Sequence, residues 1–127
     1  MATNTKFTEL KDIFAILHSK RGCLWDKEQT HKSLINDLKE EVDEFIAAVK
    51  KNNYPHMQEE LGDILLHVMF NAQIAKKNKK FDIEKVIAGL IRKLKRRHPH
   101  VFGKAKVNST GQIIANWNKI KAKEKHK

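Results

Sequence analysis

The sequence contains one cysteine and no long apolar run, and each of these absences excludes a class of protein. With Cys23 alone, no disulfide can form within the chain, so we expect a reducing compartment. A catalytic thiol is one use of a single cysteine, but a small, partly buried side chain is the commoner one. No apolar stretch approaches the roughly 18 residues of a membrane span, and the first ten residues lack the apolar core of a secretory signal. These features predict a soluble, cytoplasmic protein that does not contact membranes.

Basic residues outnumber acidic ones. The 127 residues include 26 Lys and Arg but only 15 Asp and Glu, a formal net charge of +11. This charge favours an anionic partner, which could be nucleic acid, nucleotide phosphates or an acidic surface. Much of the excess lies in a lysine-rich tail at residues 119–127, so the charge alone discriminates weakly among these partners. The length and the 40% hydrophobic content predict one domain over residues 1–127.

Apolar residues recur at helical spacing through almost the whole chain, and no segment has the pattern of a strand. The spacing predicts helices over about 7–17, 30 or 33 to 51, 56–77 and 83–97, and a short last helix from about 110. On the third helix we expect these residues to face inward: Met57, Leu61, Ile64, Leu65, Val68 and Ala72. Residues 104–109 are predicted to form a flexible loop. The predicted fold class is all-α, a bundle of four to five helices.

Acidic residues are concentrated in two short windows of this basic chain. Seven of the fifteen lie there, namely Glu40, Glu41, Asp43, Glu44, Glu59, Glu60 and Asp63. At about 100° per residue, Glu41 and Glu44 lie beside an apolar stripe centred on Leu38. Glu60 and Asp63 lie on one side of a stripe centred on Leu61. A short loop joins the two helices, so they should pack antiparallel and bring the acidic strips together.

Carboxylates that converge in this way repel one another unless a cation lies among them. Ligands that are all oxygen suit a hard divalent cation, so we expect Mg²⁺, with Mn²⁺ as a possible substitute, in preference to Zn²⁺. The alternative is that these are ordinary solvated charges on helix surfaces, paired with neighbouring lysines. The clustering of acidic residues in an otherwise basic chain favours the metal site.

The acidic residues and three further stretches resemble a known family. Glu40-Glu41-x-x-Glu44 followed by Glu59-Glu60-x-x-Asp63 is similar to the EExxE and EExxD signature of the all-α nucleotide pyrophosphohydrolases. Residues 22–31 (GCLWDKEQTH), 60–66 (ELGDILL) and 96–103 (RRHPHVFG) resemble the MazG members of that superfamily. The resemblance covers residues 7–120 and suggests a single-domain form, whereas many relatives carry two such domains. Leu24 departs from the pattern, because the family usually has proline there.

The resemblance implies Mg²⁺-dependent hydrolysis of nucleoside triphosphates (NTP or dNTP) to the monophosphate and pyrophosphate. It further implies broad, house-cleaning specificity. We expect a homo-oligomer, either a dimer or a tetramer. The implied magnesium ligands are Glu41, Glu44, Glu60 and Asp63. Glu40 matches an adjacent acidic position, and Glu40 or Glu44 is the candidate catalytic base. The implied substrate-binding residues are Lys93, Arg96, Arg97 and Trp117 and, by a looser match, Trp25 and Lys27.

The fourth helix carries cations next to its apolar stripe, which bears on substrate binding. Lys93 and Arg97 lie close to the stripe centred on Leu90, and an arginine there needs a partner such as a triphosphate. The alternative is the ordinary preference of helix carboxyl ends for cations. A different function for the whole chain is a basic helical nucleic-acid-binding module without catalysis, which would leave the acidic clusters unexplained. A third possibility is a structural bundle whose carboxylates are vestigial.

Overall fold

The computed structural model describes residues 5–125. Residues 1–4, at the start of the segment assessed for a secretory signal, and residues 126–127 of the predicted tail lie outside the described residues. Within the described residues there are seven α-helices and no strand, which confirms the all-α prediction. The helices are α1 (Lys6–Leu17), α2 (Leu24–Glu28), α3 (Ile35–Lys50), α4 (Tyr54–Lys77), α5 (Ile83–Arg97), α6 (Pro99–Phe102) and α7 (Thr110–Lys125). No helix in this part of the chain is long and apolar enough to cross a membrane.

The ends of the helices follow from local side-chain hydrogen bonds. The Thr5 hydroxyl accepts from the Thr8 N–H at 3.1 Å, and the Asn53 amide oxygen accepts from the His56 N–H at 3.2 Å, so these two residues cap α1 and α4. α3 begins later than the sequence pattern suggests. Thr30 and Ser33 each accept the other's backbone N–H through the side-chain hydroxyl, a local arrangement that competes with helix.

The chain divides into two compact units, with the division between Ile83 and Glu84. The first unit contains α1 to α4, and the second contains nearly all of α5 together with α6 and α7. A single domain over residues 1–127 stays a prediction. Residues 103–109 contain no helix, and the flexibility of the loop at residues 104–109 stays a prediction. The part of the lysine-rich tail up to Lys125 is helical.

In the first unit, α3 and α4 form a helical hairpin joined by only three residues, and α1 also packs on α4. The core of this unit lies along the second half of α4 and consists of Phe14, Leu34, Met69, Phe70 and Ile74. The Phe70 ring is its centre, since Phe14, His18 and Trp25 each place a ring edge-on to it, with centroids 5.2 to 6.1 Å away. The core therefore leaves the first half of α4 for other contacts.

The inward face of α4 differs from the one predicted. Ala72 is buried as expected, but three residues of the predicted inward stripe are exposed, namely Leu61, Leu65 and Val68. The buried face instead includes Glu60, His67 and Phe70. A helical wheel follows the density of apolar side chains, whereas the face that is buried depends on where α1 and α3 pack. Glu60 is therefore buried, although the wheel placed it well to the side of the inward stripe.

Candidate metal centre

The α3–α4 hairpin brings three acidic residues together. Glu41 comes from α3, and Glu60 and Asp63 lie one turn apart on α4. One carboxylate oxygen from each residue lies within 4.8 Å of the other two. Glu60 is only 3% exposed, and Glu41 and Asp63 are half-buried. Three of the four residues predicted as magnesium ligands thus face one another.

Glu44, the fourth predicted ligand, is exposed on α3 and belongs to a neighbouring group of potential ligands. It offers an oxygen within 4.8 Å of ligand atoms from His56 and Glu60. The His56 Nε2 lies 3.3 Å from the Glu60 Oε1. Glu40 is exposed and belongs to neither group. Sequence reasoning overlooked His56, although its position four residues before Glu60 places both side chains on one face of α4.

The carboxylates perturb one another's ionisation. The pKa of Glu41 is raised from its usual 4.5 to about 7, because Glu41 hydrogen-bonds to Glu60, is partly desolvated, and lies near the charges of Asp63 and Glu60. The hydrogen bond with Glu41 lowers the pKa of Glu60. Burial and the neighbouring Glu44 and Asp63 outweigh this effect, so the pKa of Glu60 is raised overall. The cluster therefore resists full ionisation on its own.

Two oxygens in the cluster have no hydrogen-bond partner among the described residues, and these are Oε2 of Glu41 and Oε2 of Glu60. Both atoms are buried, and a buried polar atom without a partner is costly. A divalent cation would bind such oxygens and offset the repulsion between the carboxylates. Because the donors of Glu41, Glu60 and Asp63 are all oxygen, they fit Mg²⁺ or Mn²⁺.

The first unit contains a cavity of about 220 Å³. Its lining combines aromatic rings with polar side chains: Phe14, Leu17, Trp25, Asp26, Leu34, Asp37, Leu66, His67 and Phe70. Asp37 lies one turn before Glu41 on α3, and His67 lies one turn after Asp63 on α4. Two residues of the cavity lining thus lie one helical turn from carboxylates of the cluster, which themselves do not line the cavity. Apolar walls with a few polar groups are typical of sites for flat organic ligands.

The two residues of α2 predicted to bind substrate line different cavities. Trp25 is 55% exposed and borders the cavity of about 220 Å³. Lys27 is half-buried and borders a second cavity of about 230 Å³, which is also lined by His18 and Lys77. Trp25 and Lys27 are two positions apart on α2, and side chains at that spacing point to different sides of a helix.

The predicted phosphate-binding residues lie in the second unit, and the two arginines contact an acidic residue there. The Arg96 Nε lies 2.6 Å from Glu124 Oε2, and the Arg97 Nη2 lies 2.7 Å from Glu124 Oε1. The hydrogen bonds from Arg97 and then Arg96 lower the pKa of Glu124 to about 2. Sequence reasoning inferred a triphosphate as the partner and missed Glu124, the only acidic residue in the tail.

Trp117 and Lys93 complete the predicted substrate-binding set. The Arg97 guanidinium lies 5.4 Å from the Trp117 ring centroid, and the His98 ring lies edge-on to Trp117 at 5.0 Å. Lys93 is exposed on α5. Arg97 and Trp117 therefore form one cation–π arrangement on the second unit.

The chain is similar to proteins of one family. The family model of the MazG nucleotide pyrophosphohydrolase domain matches residues 29–102. The chain is 50% identical over 121 residues to the nucleoside triphosphate pyrophosphohydrolase/pyrophosphatase MazG of Thermotoga maritima, covering 95% of this chain and 46% of that protein. It is 37% identical over 106 residues to the nucleoside triphosphate pyrophosphohydrolase of Escherichia coli K12, covering 84% of this chain and 40% of that protein.

A solved structure agrees with these similarities. The crystal structure of a mazG-related protein from Thermotoga maritima matches with a TM-score of 0.71 and 28% identity, covering 88% of this chain and 98% of that one. The chain spans less than half the length of the two curated relatives described above.

Proposed function

Since the chain belongs to the MazG nucleotide pyrophosphohydrolase family, we propose that it hydrolyses nucleoside triphosphates to the monophosphate and pyrophosphate, with Mg²⁺ as cofactor and Mn²⁺ as a substitute. The observation that carries this proposal is the group formed by Glu41, Glu60 and Asp63, whose ligand oxygens lie within 4.8 Å of one another. Two buried oxygens of this group have no hydrogen-bond partner among the described residues. Such an arrangement in a basic chain is best explained by a cation that the carboxylates bind.

Glu41, Glu60 and Asp63, with Glu44 beside them, would hold the ion. When bound, Mg²⁺ neutralises triphosphate charge and makes a water molecule more acidic. The water oxygen bonds to phosphorus, the anhydride bond to the pyrophosphate breaks, and a carboxylate takes the proton of the water. Attack at the α or the β phosphorus gives the same products. Glu44 is the better placed base, since it lies next to Glu60, whereas Glu40 lies outside both groups.

The aromatic cavity would hold the base of the nucleotide. Trp25 and Phe14 provide ring surfaces, and Asp37 and His67 provide polar groups at the side nearer the carboxylates. Ring contacts of this kind tolerate any base, because every base has a flat π-face. This tolerance supports broad, house-cleaning specificity, with selectivity left to the few polar groups. The width of specificity is testable with a panel of bases.

We assign phosphate binding to Lys93, Arg96 and Arg97, with Trp117 as a neighbouring aromatic contact. Guanidinium groups form bidentate hydrogen bonds to phosphate oxygens. Both arginines hold Glu124 in the structure, so a phosphate must replace this carboxylate or share the arginines with it. We also expect Lys27 to favour anions near α2.

We further propose that the chain forms a homo-oligomer, at least a dimer. The hairpin exposes apolar residues on both helices, namely Val42, Ile46 and Val49 on α3, and Leu61, Leu65 and Val68 on α4. Exposed apolar faces of this extent favour association with a second copy. Light scattering would measure the mass, and a monomer at micromolar concentration would contradict the proposal. Because Cys23 is an exposed free cysteine, we place the chain in a reducing compartment, the cytoplasm.

The test is pyrophosphate release from a panel of NTPs and dNTPs, with Mg²⁺, Mn²⁺ or EDTA, for the wild type and Glu41→Gln. We expect metal-dependent release that Glu41→Gln abolishes. Glu59→Gln is the matched control, because Glu59 is an exposed neighbour on α4 outside the cluster. A folded wild type that releases no pyrophosphate from any triphosphate would contradict the proposal. Nucleic-acid binding that weakens steeply with salt and ignores Mg²⁺ would instead support the binding-module alternative.

A further inference from the structure

The second cavity of the first unit, of about 230 Å³, lies away from the carboxylates. Its walls come from α2 and the segment that follows it, and from the carboxyl ends of α1 and α4. Within the described residues, its lining has no member in common with the aromatic cavity or with the two groups of potential metal ligands. Asp63 and Lys77 both lie on α4, roughly 21 Å apart along the helix axis at about 1.5 Å per residue. The second cavity is therefore a separate place in the fold.

Two lysines give this cavity a positive wall. Lys27 is half-buried on α2, and Lys77 is exposed at the end of α4. The ion pairs among the described residues involve neither of these ammonium groups. Glu28 is the only carboxylate in the lining, so positive charge exceeds negative charge there. Cations without an ion-pair partner around a cavity favour an anionic ligand.

The turn after α4 removes a source of repulsion for such an anion. A helix carboxyl end carries partial negative charge on its unpaired carbonyl oxygens. Three of the last carbonyl oxygens of α4 accept N–H groups from this turn, in the pairs Ile74 with Asn78, Ala75 with Lys80, and Lys76 with Lys79. Lys79 has a φ of 58°, in the left-handed region that favours glycine, so a lysine is kept there at a conformational cost. The turn thus pairs these carbonyl oxygens and adds positive charge at the end of α4.

Two histidines of the lining each have one ring nitrogen without a partner in the protein. The Asn71 amide N–H donates to the His67 carbonyl oxygen, so its Oδ1 accepts from the His31 Nδ1 at 2.7 Å. The His18 Nδ1 likewise donates to the Phe14 carbonyl oxygen at 3.1 Å. Among the described residues, Nε2 of neither ring has a hydrogen-bond partner, and that of His18 is buried. When the rings are neutral, both Nε2 atoms are acceptors that lack a donor.

The lining therefore combines ammonium donors with imidazole acceptors. A carboxylate ligand only accepts hydrogen bonds, whereas a monoprotonated phosphate group offers oxygens to the ammonium groups and an O–H to an imidazole. We propose that the second cavity binds a phosphate group, which Lys27, Lys77 and His31 hold without a metal ion. The phosphate group belongs either to free phosphate or pyrophosphate, or to a nucleotide. The site is defined by binding and does not rest on the proposed hydrolytic activity.

The test is nitrogen NMR of the histidine rings in the full chain, kept in EDTA at constant ionic strength. Sodium phosphate, pyrophosphate or adenosine monophosphate is added, and acetate is the control anion. We expect a phosphate compound to shift the Nε2 signal of His31 with a dissociation constant below about 1 mM, and acetate to leave it unchanged. A shift with phosphate or pyrophosphate assigns the site to the free anions, and a shift with adenosine monophosphate alone assigns it to a nucleotide.

Variants that change one charge test which residues hold the phosphate. Lys77→Gln should weaken binding about tenfold, because a hydrogen bond from a charged donor is lost, and Lys27→Gln should act in the same direction. Glu28→Gln should strengthen binding about two- to fivefold, because a repulsive charge is removed. Lys76→Gln is the matched control, since Lys76 is an exposed lysine of α4 outside the lining. Arg97→Ala is the control for the arginines of the second unit, and both controls should bind as the wild type does.

Three results would overturn the proposal. These are the absence of a His31 shift with every phosphate compound, an equal shift with acetate, and wild-type affinity in both Lys77→Gln and Lys27→Gln. All of the substituted lysines are exposed or half-buried, and circular dichroism would verify that the helices form in each variant. Because EDTA removes divalent cations and no turnover is measured, a failure of the hydrolytic proposal would leave these results unchanged.

Discussion

Replacing Glu41 by glutamine should have opposite effects on stability with and without metal. Without metal, the folded state holds Glu41 beside Glu60 and Asp63 and raises its pKa from 4.5 to about 7. A raised pKa in the folded state means that stability is present below pH 4.5 and is lost as the pH rises through about 7. Glutamine does not titrate, and its N–H can still donate to Glu60. Without metal, Glu41→Gln should therefore not lose stability as the pH rises through about 7.

The expected magnitude follows from the shift and from the exposure of the side chain. A rise from 4.5 to about 7 corresponds to roughly 3 kcal/mol at about 1.4 kcal/mol per pKa unit. Glu41 is only half-buried, and solvent screens exposed charges, so we expect about 1 kcal/mol. In EDTA at about pH 8, Glu41→Gln should unfold about 3–5 °C higher than the wild type. The difference should disappear below about pH 4.5, where Glu41 is protonated in both states.

Saturating Mg²⁺ should reverse this order. A ligand at 100 times its dissociation constant stabilises the folded state by about 2.7 kcal/mol, and the wild type should gain this while Glu41→Gln gains less. Thermal denaturation followed by circular dichroism, across pH and with EDTA or Mg²⁺, measures all four combinations. Glu59→Gln should follow the wild type throughout. If Glu41→Gln is less stable than the wild type in EDTA at about pH 8, our account of repulsion in the cluster is wrong.

Four further predictions follow from the packing and the charges. Phe70→Ala should lower the free energy of unfolding by about 3–5 kcal/mol in urea denaturation, because a buried ring is lost, and a loss below about 1 kcal/mol would contradict its place in the core. Arg97→Ala should raise KM for the triphosphate about 10–100-fold through loss of a charged hydrogen bond. The exposed Lys95→Ala serves as its control, and equal KM values would remove Arg97 from phosphate binding. Glu124→Gln should lower the free energy of unfolding at neutral pH, because Arg97 and Arg96 lower the pKa of Glu124 from 4.5 to about 2. The difference in this free energy between wild type and variant should become smaller as the pH falls from 4.5 towards about 2. A difference that stays constant on acidification would contradict this. Nucleotide binding should change the tryptophan fluorescence, and Trp25→Phe should lose the part of this change that comes from Trp25. A change of equal size in Trp25→Phe and in the wild type would place the base elsewhere.

The local features of this fold were predictable from the sequence, because they depend on residues a few positions apart. Helical spacing of apolar residues located four long helices and the start of the last one, although α7 at Thr110–Lys125 is longer than the short helix predicted there. The acidic windows on α3 and α4 are separated by a connection of only three residues, so a hairpin had to bring them close. The proximity of Glu41, Glu60 and Asp63 was predictable for this reason.

Features that depend on distant segments were decided by the tertiary structure. The wheel centred on Leu61 chose the wrong inward face, since Leu61 is 52% exposed and Glu60 is buried. A helical wheel uses only the sequence of α4, so it does not show against which face of α4 the helices α1 and α3 pack. Glu124 lies 27 residues from Arg97, and its partners could not be read from local spacing.

The aromatic cavity shows the same limit, because its walls come from α1, α2, α3 and α4 together. The sequence by itself determined which residues are helical and which acidic residues share a helix face, since a backbone with 3.6 residues per turn sets both. Only the tertiary structure decided which of those faces is buried, which partner each charge has, and where the cavity lies. Packing between segments far apart in the chain sets these properties, and no local periodicity encodes it.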